Sequence, residues 1–561
     1  MDTKNVIAAI SLSAAVIILY SLFFAPPQQQ INKKQIEENK SKLSQASDAP
    51  KIEQEEKILE ISREEALNKN ERITFENENI KGSISLKGGS IDDLIFKKYT
   101  KTLNGTEKII LLNPNNIKNG YFVETGWATN GDIEIPNTNT VWEVDGNSNL
   151  RPNNPVKLVW ENKQGLKFEK KISLDNKFLF TVDQKITNDT QNIYKFYPYG
   201  QITRNTAPQV TNFYILHEGL IGVFDEQLVE KDYDDIEDKK FSVNANSGWT
   251  GITDKFWIVT MIPENNRQFR GDFEYKNNYK ANFIYTNYDE VSANDSVSSK
   301  IKIIIAAKEV DVIDEYAEKS NINKFDLAID WGWFYFLTKN FFFLIHYFFE
   351  LTGNYGIAII LVTVCIRVAF FPLANYGFRS MAKMKVLQPE MARLKELYKD
   401  DKVKLQQEMM SLYKKEKVNP ISGCLPILIQ IPFFFAIYKV LFVTIESRHQ
   451  PFFGWIKDLS ERDPTSIFNL FGLIPWDPPS FLIIGVWPCL MGLSMYVQQK
   501  LNPAPPDPIQ AKIFMFFPIF LTVILAPFPS GLVIYWTFNN ILTMAQQIII
   551  MRSTTVKTIQ K

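Results

Sequence analysis

With 561 residues the chain is long enough for several domains, and its 62 Lys and Arg balance 62 Asp and Glu to a net charge of zero. That balance leaves no global field for nucleic acid as a specific ligand. The three cysteines, Cys365, Cys424 and Cys489, fall in apolar runs without a CxxC spacing, which argues against a zinc site or a disulfide framework, and no metal or cofactor is expected.

Residues 1–26 contain an apolar run, Val6 to Phe24, of spanning length. Phe23 is bulky where a signal peptidase wants a small residue, so the run reads as an uncleaved first transmembrane anchor. Residues 27–72 are Gln, Lys, Glu and Ser with little apolar periodicity, a flexible linker. Over 73–325 the pattern changes to alternating runs such as VKLVW, LKFEKKISL and FLFTVDQKITN, punctuated by Gly88-Gly89 and Asn-rich turns. These short strands predict a large β-sandwich, closed by a short helix near residues 311–319.

Residues 326–352 are aromatic and amphipathic, with Trp331 and Trp333 suited to a membrane interface. A second span follows at 353–374 and a polar helical hairpin at 375–419. The third span, 420–443, contains Pro426 and Pro432; an external loop, 444–480, carries Trp455 and Trp476. The fourth span is 481–500, a stiff loop 501–512, the fifth span 513–529, the sixth 530–552, and a short tail 553–561. The hairpin holds the densest Lys and Arg cluster beside the spans, so it is expected in the cytoplasm, with both termini there and the β domain outside.

The second span carries Arg367, six residues or roughly 9 Å from Leu373. It could snorkel to the headgroups, but an intramembrane charge is by default a functional hypothesis. Counted from the cytoplasmic ends, Gln430 lies at roughly 10 Å, Ser494 and Gln546 at about 9 Å, Thr522 at about 15 Å and Asn540 at about 18 Å. The outer halves are nearly free of polar groups apart from Tyr438 and Lys439, which lie near the outer surface and can snorkel there. Gln430, Asn539, Asn540 and Gln546 could simply bond helix to helix. As a set, with an Arg and no Asp or Glu in the span cores, they suit an inner-half wet cavity for a ligand that brings negative charge.

Two further classes stay open on the residues alone. A secondary transporter or channel would show internal repeats and midplane sites, whereas no repeat is visible and the polar set is off-centre. A carbohydrate-processing β domain needs a cleft with paired carboxylates or His, and the sequence singles none out; His217-Glu218 could be an acid and base pair or an ordinary surface pair. No GxxxxGK[ST] motif or nucleophile elbow is present. On the hairpin, Met381, Met384 and Met391 with Lys383, Lys385 and Lys395 suit capture of apolar nascent segments, or else packing of the hairpin on itself.

The stretches SMAKMKVLQPEMARLKELYKDD (380–401), QQEMMSLYKKEKVNPISGCLPILIQIPFFFAIYKVL (406–441) and FPSGLVIYWTFNNILTMAQQ (528–547) closely resemble the YidC/Oxa/Alb membrane insertase family. More weakly, GSISLKGGSIDDLIF and GWTGITDKFWIVTMIP resemble the periplasmic supersandwich of its Gram-negative members. The resemblance implies a multi-domain, six-span protein of the bacterial inner membrane: a five-helix insertase core plus an N-terminal anchor, with a large periplasmic β-sandwich. It implies an insertase and chaperone, not an enzyme, that helps inner-membrane proteins insert and fold, alone or with the Sec translocon. Implied partners are nascent membrane proteins, Sec components, a ribosome or targeting factor at the cytoplasmic side, and the lipid bilayer. Arg367 matches the single functional Arg of the family's hydrophilic groove, which is open to cytoplasm and lipid, with Thr363 one turn before it. Tyr535 and Trp536 match its substrate-contacting aromatic pair, the second being Trp where relatives often have Tyr.

Overall fold

The computed structural model describes residues 61–208, 216–416, 418, 425–476, 478–479, 482–502 and 508–559. The anchor expected over 1–26 and the linker to residue 60 lie outside them. The chain divides into two compact units, one ending at Asp330 and one beginning at Trp331.

The first unit opens on a short helix, α1 (Arg63–Asn68). Its signal is local: Ser62 and Glu65 form a capping box, each satisfying a backbone N–H at the helix start. Among the described residues twenty strands follow, in two sheets of eleven and nine strands. All pairings are antiparallel except a short parallel contact of Thr74 and Phe75 with Asn149 and Leu150. Strand Leu179–Asn188 lies between Leu166–Leu174 and Asp295–Ala307, and its residues alternate between buried and partly exposed because successive side chains point to opposite faces. The sheets stack through aromatic pairs: Phe75 on Phe180 and Trp127 on Phe168, each at 5.2 Å between centroids, and Phe96 on Trp257 at 4.7 Å. Two helices complete this unit, α2 (Tyr233–Asp238) and α3 (Val310–Lys319). The Tyr316 hydroxyl of α3 donates to Asp175 at 2.7 Å and accepts from the Phe178 N–H at 2.8 Å, tying the helix to the sandwich.

Lys170 breaks the apolar rule inside the sandwich. It is buried, its Nζ donates to the Thr125 carbonyl at 2.5 Å, and the ring of Trp142 lies 4.9 Å away. Burial disfavours the ammonium and pulls it down to about 8, against a weaker opposing pull from Glu124. Asp92 is the acidic counterpart: burial pushes its carboxyl up to about 6, although Arg72 is paired with it.

The second unit is helical: α4 (Tyr335–Thr352), α5 (Tyr355–Ala369), α6 (Phe371–Val386), α7 (Gln388–Leu397), α8 (Lys402–Lys415), α9 (Leu425–Val443), α10 (Val486–Leu501), α11 (Pro508–Leu525) and α12 (Ser530–Ile559). Gly353 ends α4 at φ 66°, and Asn354 caps α5 by accepting from the Ile357 N–H at 3.0 Å. Among the described residues no single helix is long and apolar enough to cross a membrane; α5 and α6 pass that test only together, bent by 69° at Phe370. The break has a local cause in Pro372, whose missing N–H and bulky ring do not continue a helix from Val368. The straight helix expected through to Leu373 therefore stops at Ala369. Pro389 likewise breaks the expected first hairpin helix between Val386 and Gln388. Helix α10 starts at Val486, five residues later than the span boundary at 481, where the Asp463 carboxylate accepts from the Trp487 N–H at 2.9 Å.

Candidate functional site

Helix α12 packs against α5, α6, α9 and α10, so polar residues along it meet several partners. Neighbouring residues on a helix point about 100° apart, and a spacing of seven returns close to the same face. The doublets Asn539-Asn540 and Gln546-Gln547 exploit both facts.

Arg367 sits in the last turn of α5, where the carbonyl end of the helix favours a cation. With the helix closing at Ala369, it stands about 3 Å from that end rather than the 9 Å counted to Leu373. Its Nε and Nη2 both donate to Asn539 Oδ1 on α12, the first at 3.1 Å. Nη2 also donates to Gln430 Oε1 on α9 at 3.1 Å and reaches the Asn539 carbonyl at 3.4 Å. One guanidinium thus joins three helices. All three acceptor oxygens are uncharged, so the positive charge is solvated by amides and not neutralised. Nη1 bonds to none of the described residues.

One side of this cluster is closed by rings. Phe434, one turn beyond Gln430, packs edge-on against Trp536 at 4.6 Å and beside Tyr535 at 6.4 Å. Tyr438 and Phe442 extend the row along α9 at 5.5 Å, and Phe528 joins it at 5.7 Å from Tyr438. Along α12 in the other direction, two turns from Asn539, lies Gln546; its amide nitrogen and oxygen are both enclosed and have no hydrogen-bond partner among the described residues.

The other expected groove residues separate from this cluster. Asn540 donates to Ser494 Oγ on α10 at 2.9 Å, and Ser494 donates to the Met491 carbonyl at 2.6 Å. Thr363 and Thr522 donate to Ile359 and Pro518 in their own helices, at 2.7 and 2.8 Å. Thr522 also marks the tight crossing of α10 and α11, where a Cβ on Gly492 would stand 2.0 Å from its Oγ1. Asn539 entered the sequence reading as one of several helix-bonding amides; the structure makes it the principal acceptor for Arg367. Its signal was the seven-residue spacing to Gln546. Gln547, buried on the Asn540 face, donates to Asn502 at 2.9 Å.

Tyr438 and Lys439 are buried and do not snorkel. The Lys439 stem runs beside Gly332, where a Cβ would stand 2.8 Å from Cε. On the hairpin Lys383, Lys385 and Lys395 are exposed, but the methionine face is not presented as expected. Met381 is buried with Ala374, Phe378 and Ile550, and Met391 is buried, its sulfur 4.0 Å from the Tyr413 hydroxyl; Met384 is half-buried. The exposed apolar residues there include Tyr376, Val386, Leu397, Val403 and Met410. In the first unit His217 is occupied by Asp232 and the Leu220 carbonyl, and Glu218 accepts from the Lys255 N–H, so the pair does not work as acid and base on one substrate.

The family described as 60Kd inner membrane protein matches residues 347–558, and the YidC periplasmic domain family matches residues 72–344. The chain is 64% identical over 559 residues to the membrane protein insertase YidC of Pelagibacter ubique (strain HTCC1062), with 100% of both chains covered. It is 47% identical over 515 residues to the membrane protein insertase YidC of Methylorubrum extorquens (strain PA1), covering 89% of this chain and 83% of that one. A crystal structure of an active YidC insertase with its first transmembrane domain resolved covers 92% of this chain and 99% of that chain at 15% identity, with a TM-score of 0.36.

Proposed function

Because this chain belongs to the YidC family of membrane protein insertases, we propose that it receives nascent membrane proteins at the Arg367 cluster, binding them without covalent chemistry. The observation that carries this reading is a guanidinium held, among the described residues, by amide oxygens alone, with Nη1 bonded to none of them. A cation that lacks its own carboxylate attracts an acidic or polar tail without an internal competitor. The ring row of Phe434, Tyr438 and Phe442 shuts the opposite side, so the tail has a polar foothold and the membrane keeps its seal.

The apolar span of the substrate then leaves sideways. Ile431 and Phe435 on α9, and Phe516, Ile519 and Phe520 on α11, are exposed and give it an apolar track into lipid. Its burial drives the step at roughly 25 cal/mol per Å². For an acidic tail moving outward the membrane potential adds about 2.3 kcal/mol per charge per 100 mV.

The orientation we propose has six spans: the N-terminal anchor and a five-helix core of α5, α9, α10, α11 and α12. Both termini and the hairpin are cytoplasmic, and the β domain is a periplasmic supersandwich. The exposed Lys383, Lys385 and Lys395 support it through the positive-inside rule. With Leu397, Val403 and Met410 exposed nearby, the hairpin offers a basic and apolar face to a ribosome or targeting factor; the Sec translocon is a partner within the membrane. Photocrosslinkers at Gln430, Trp536 and Gln546 should trap a stalled nascent membrane protein. Adducts no more frequent than from the exposed Leu493 on α10 would overturn the site.

A further inference from the structure

The geometry points to a lipid-inserting wedge in the loop between α9 and α10, entering the leaflet opposite the hairpin; the choice of leaflet rests on the orientation proposed above. Residues 464–476, PTSIFNLFGLIPW, contain no Asp, Glu, Lys or Arg. The short 3-10 turn within them, Ile467–Gly472, buries none of its residues. Leu470, Phe471 and Trp476 are exposed, and Leu473 is 84% exposed. Leu470 and Phe471 also adopt left-handed backbone, with φ 48° and 59°. That conformation costs an L-residue about 1–2 kcal/mol. A loop built for water has no reason to hold strained backbone that presents large apolar side chains outward.

The wedge is stiff at its base. Asp463 is buried and accepts from Trp455 Nε1 at 3.1 Å, from the Thr465 N–H at 3.0 Å and from the Trp487 N–H at 2.9 Å. Gly485 must lack a Cβ there, since one would stand 2.4 Å from the Asp463 carboxyl carbon. The Ile467 N–H donates across to the Ile484 carbonyl at 3.0 Å. The tip also settles its own backbone: the Phe471 N–H reaches the Ser466 carbonyl at 2.8 Å, Gly472 reaches Asn469 Oδ1 at 3.0 Å, and Ile474 reaches the Asn469 carbonyl at 3.0 Å. Internal satisfaction of backbone groups is what a hydrocarbon surrounding demands and water does not.

The occupant is lipid because the wedge continues a lipid-facing surface. Its base is tied to the start of α10 by the Ile467–Ile484 and Asp463–Trp487 bonds, and along α10 Leu490, Leu493 and Val497 are exposed in turn. A partner protein in water would more commonly be met by a charged rim, and the wedge has none along its length.

The test uses the full chain with Cys365→Ser, Cys424→Ser and Cys489→Ser, carrying an environment-sensitive fluorophore on Leu473→Cys or Lys457→Cys. Each is reconstituted in phosphatidylethanolamine and phosphatidylglycerol vesicles, with and without brominated acyl chains. Brominated lipid should quench the label at 473 about threefold more than at 457, and aqueous iodide should do the reverse. Equal iodide quenching at both positions overturns the wedge. Shielding from iodide without quenching by brominated lipid also overturns it, as the sign of a protein neighbour. An impermeant maleimide on Lys457→Cys reports the side of the loop separately: access from the hairpin side would overturn the orientation, and with it the leaflet assigned, while lipid contact is judged by quenching.

Discussion

Arg367→Ala and Arg367→Lys, tested against one substrate whose translocated tail carries none to several acidic residues, separate charge from scaffolding. A tail carboxylate about 6 Å from the guanidinium, at an effective dielectric near 20, gains about 3 kcal/mol, roughly a hundredfold in capture. Alanine removes that attraction and leaves Asn539 Oδ1 and Gln430 Oε1 without their donor, at about 1–3 kcal/mol each if water does not reach them. Lysine keeps the charge, but a single ammonium does not reproduce a fork that reaches α9 and α12 together. The lysine variant should therefore keep the dependence on tail charge while melting lower; the alanine variant should lose the dependence. The assay is protease-protected insertion into proteoliposomes at matched protein abundance, with Tm measured alongside. An unchanged slope of insertion against tail charge in the alanine variant would refute the electrostatic role.

Asn539→Leu should lower Tm and depress insertion evenly across that tail series, because it disturbs the position of Arg367 and not its charge; Gln430→Leu, which removes one bond in place of two, should do so less. An unchanged Tm in Asn539→Leu would discard the positioning role. Lys170 gives a pH signature: its folded value of about 8 lies below the ordinary 10.5, so the unfolded chain binds the proton more tightly and stability rises between pH 8 and 10.5, by up to about 3 kcal/mol. Denaturant titration of the full chain, followed by tryptophan fluorescence, should show this rise and its loss in Lys170→Met; an equal rise in the variant would assign it elsewhere.

The β-sandwich was legible because strands such as Leu166–Leu174 alternate apart from Lys170, and one buried face per strand leaves that mark on a single sequence. Arg367 was legible for the opposite reason, a charge where the pattern forbids one. The bend at Phe370 was not, since hydropathy runs unbroken across Pro372 and only backbone sterics register it. The hairpin methionines left two readings open because a Met face looks alike whether it meets a substrate or, as Met381 does, the far end of α12. Asn539 was visible as a residue but not as the partner of Arg367, because a contact across 172 positions is set by how three helices pack.

The paired amides of α12 have a consequence for the economy of the fold. Asn540 and Gln547 are fastened, to Ser494 and Asn502. Asn539 and Gln546, one residue earlier in each doublet, form a second edge that ends in an amide with no hydrogen-bond partner among the described residues. Because neighbours diverge by about 100°, the two edges share a helix without sharing a face. Changes along the Asn540–Gln547 edge register only in how firmly the helices hold together, whereas changes along the other register both there, through the Arg367–Asn539 bonds, and in what the protein can hold. A single helix can therefore be stiffened without being closed.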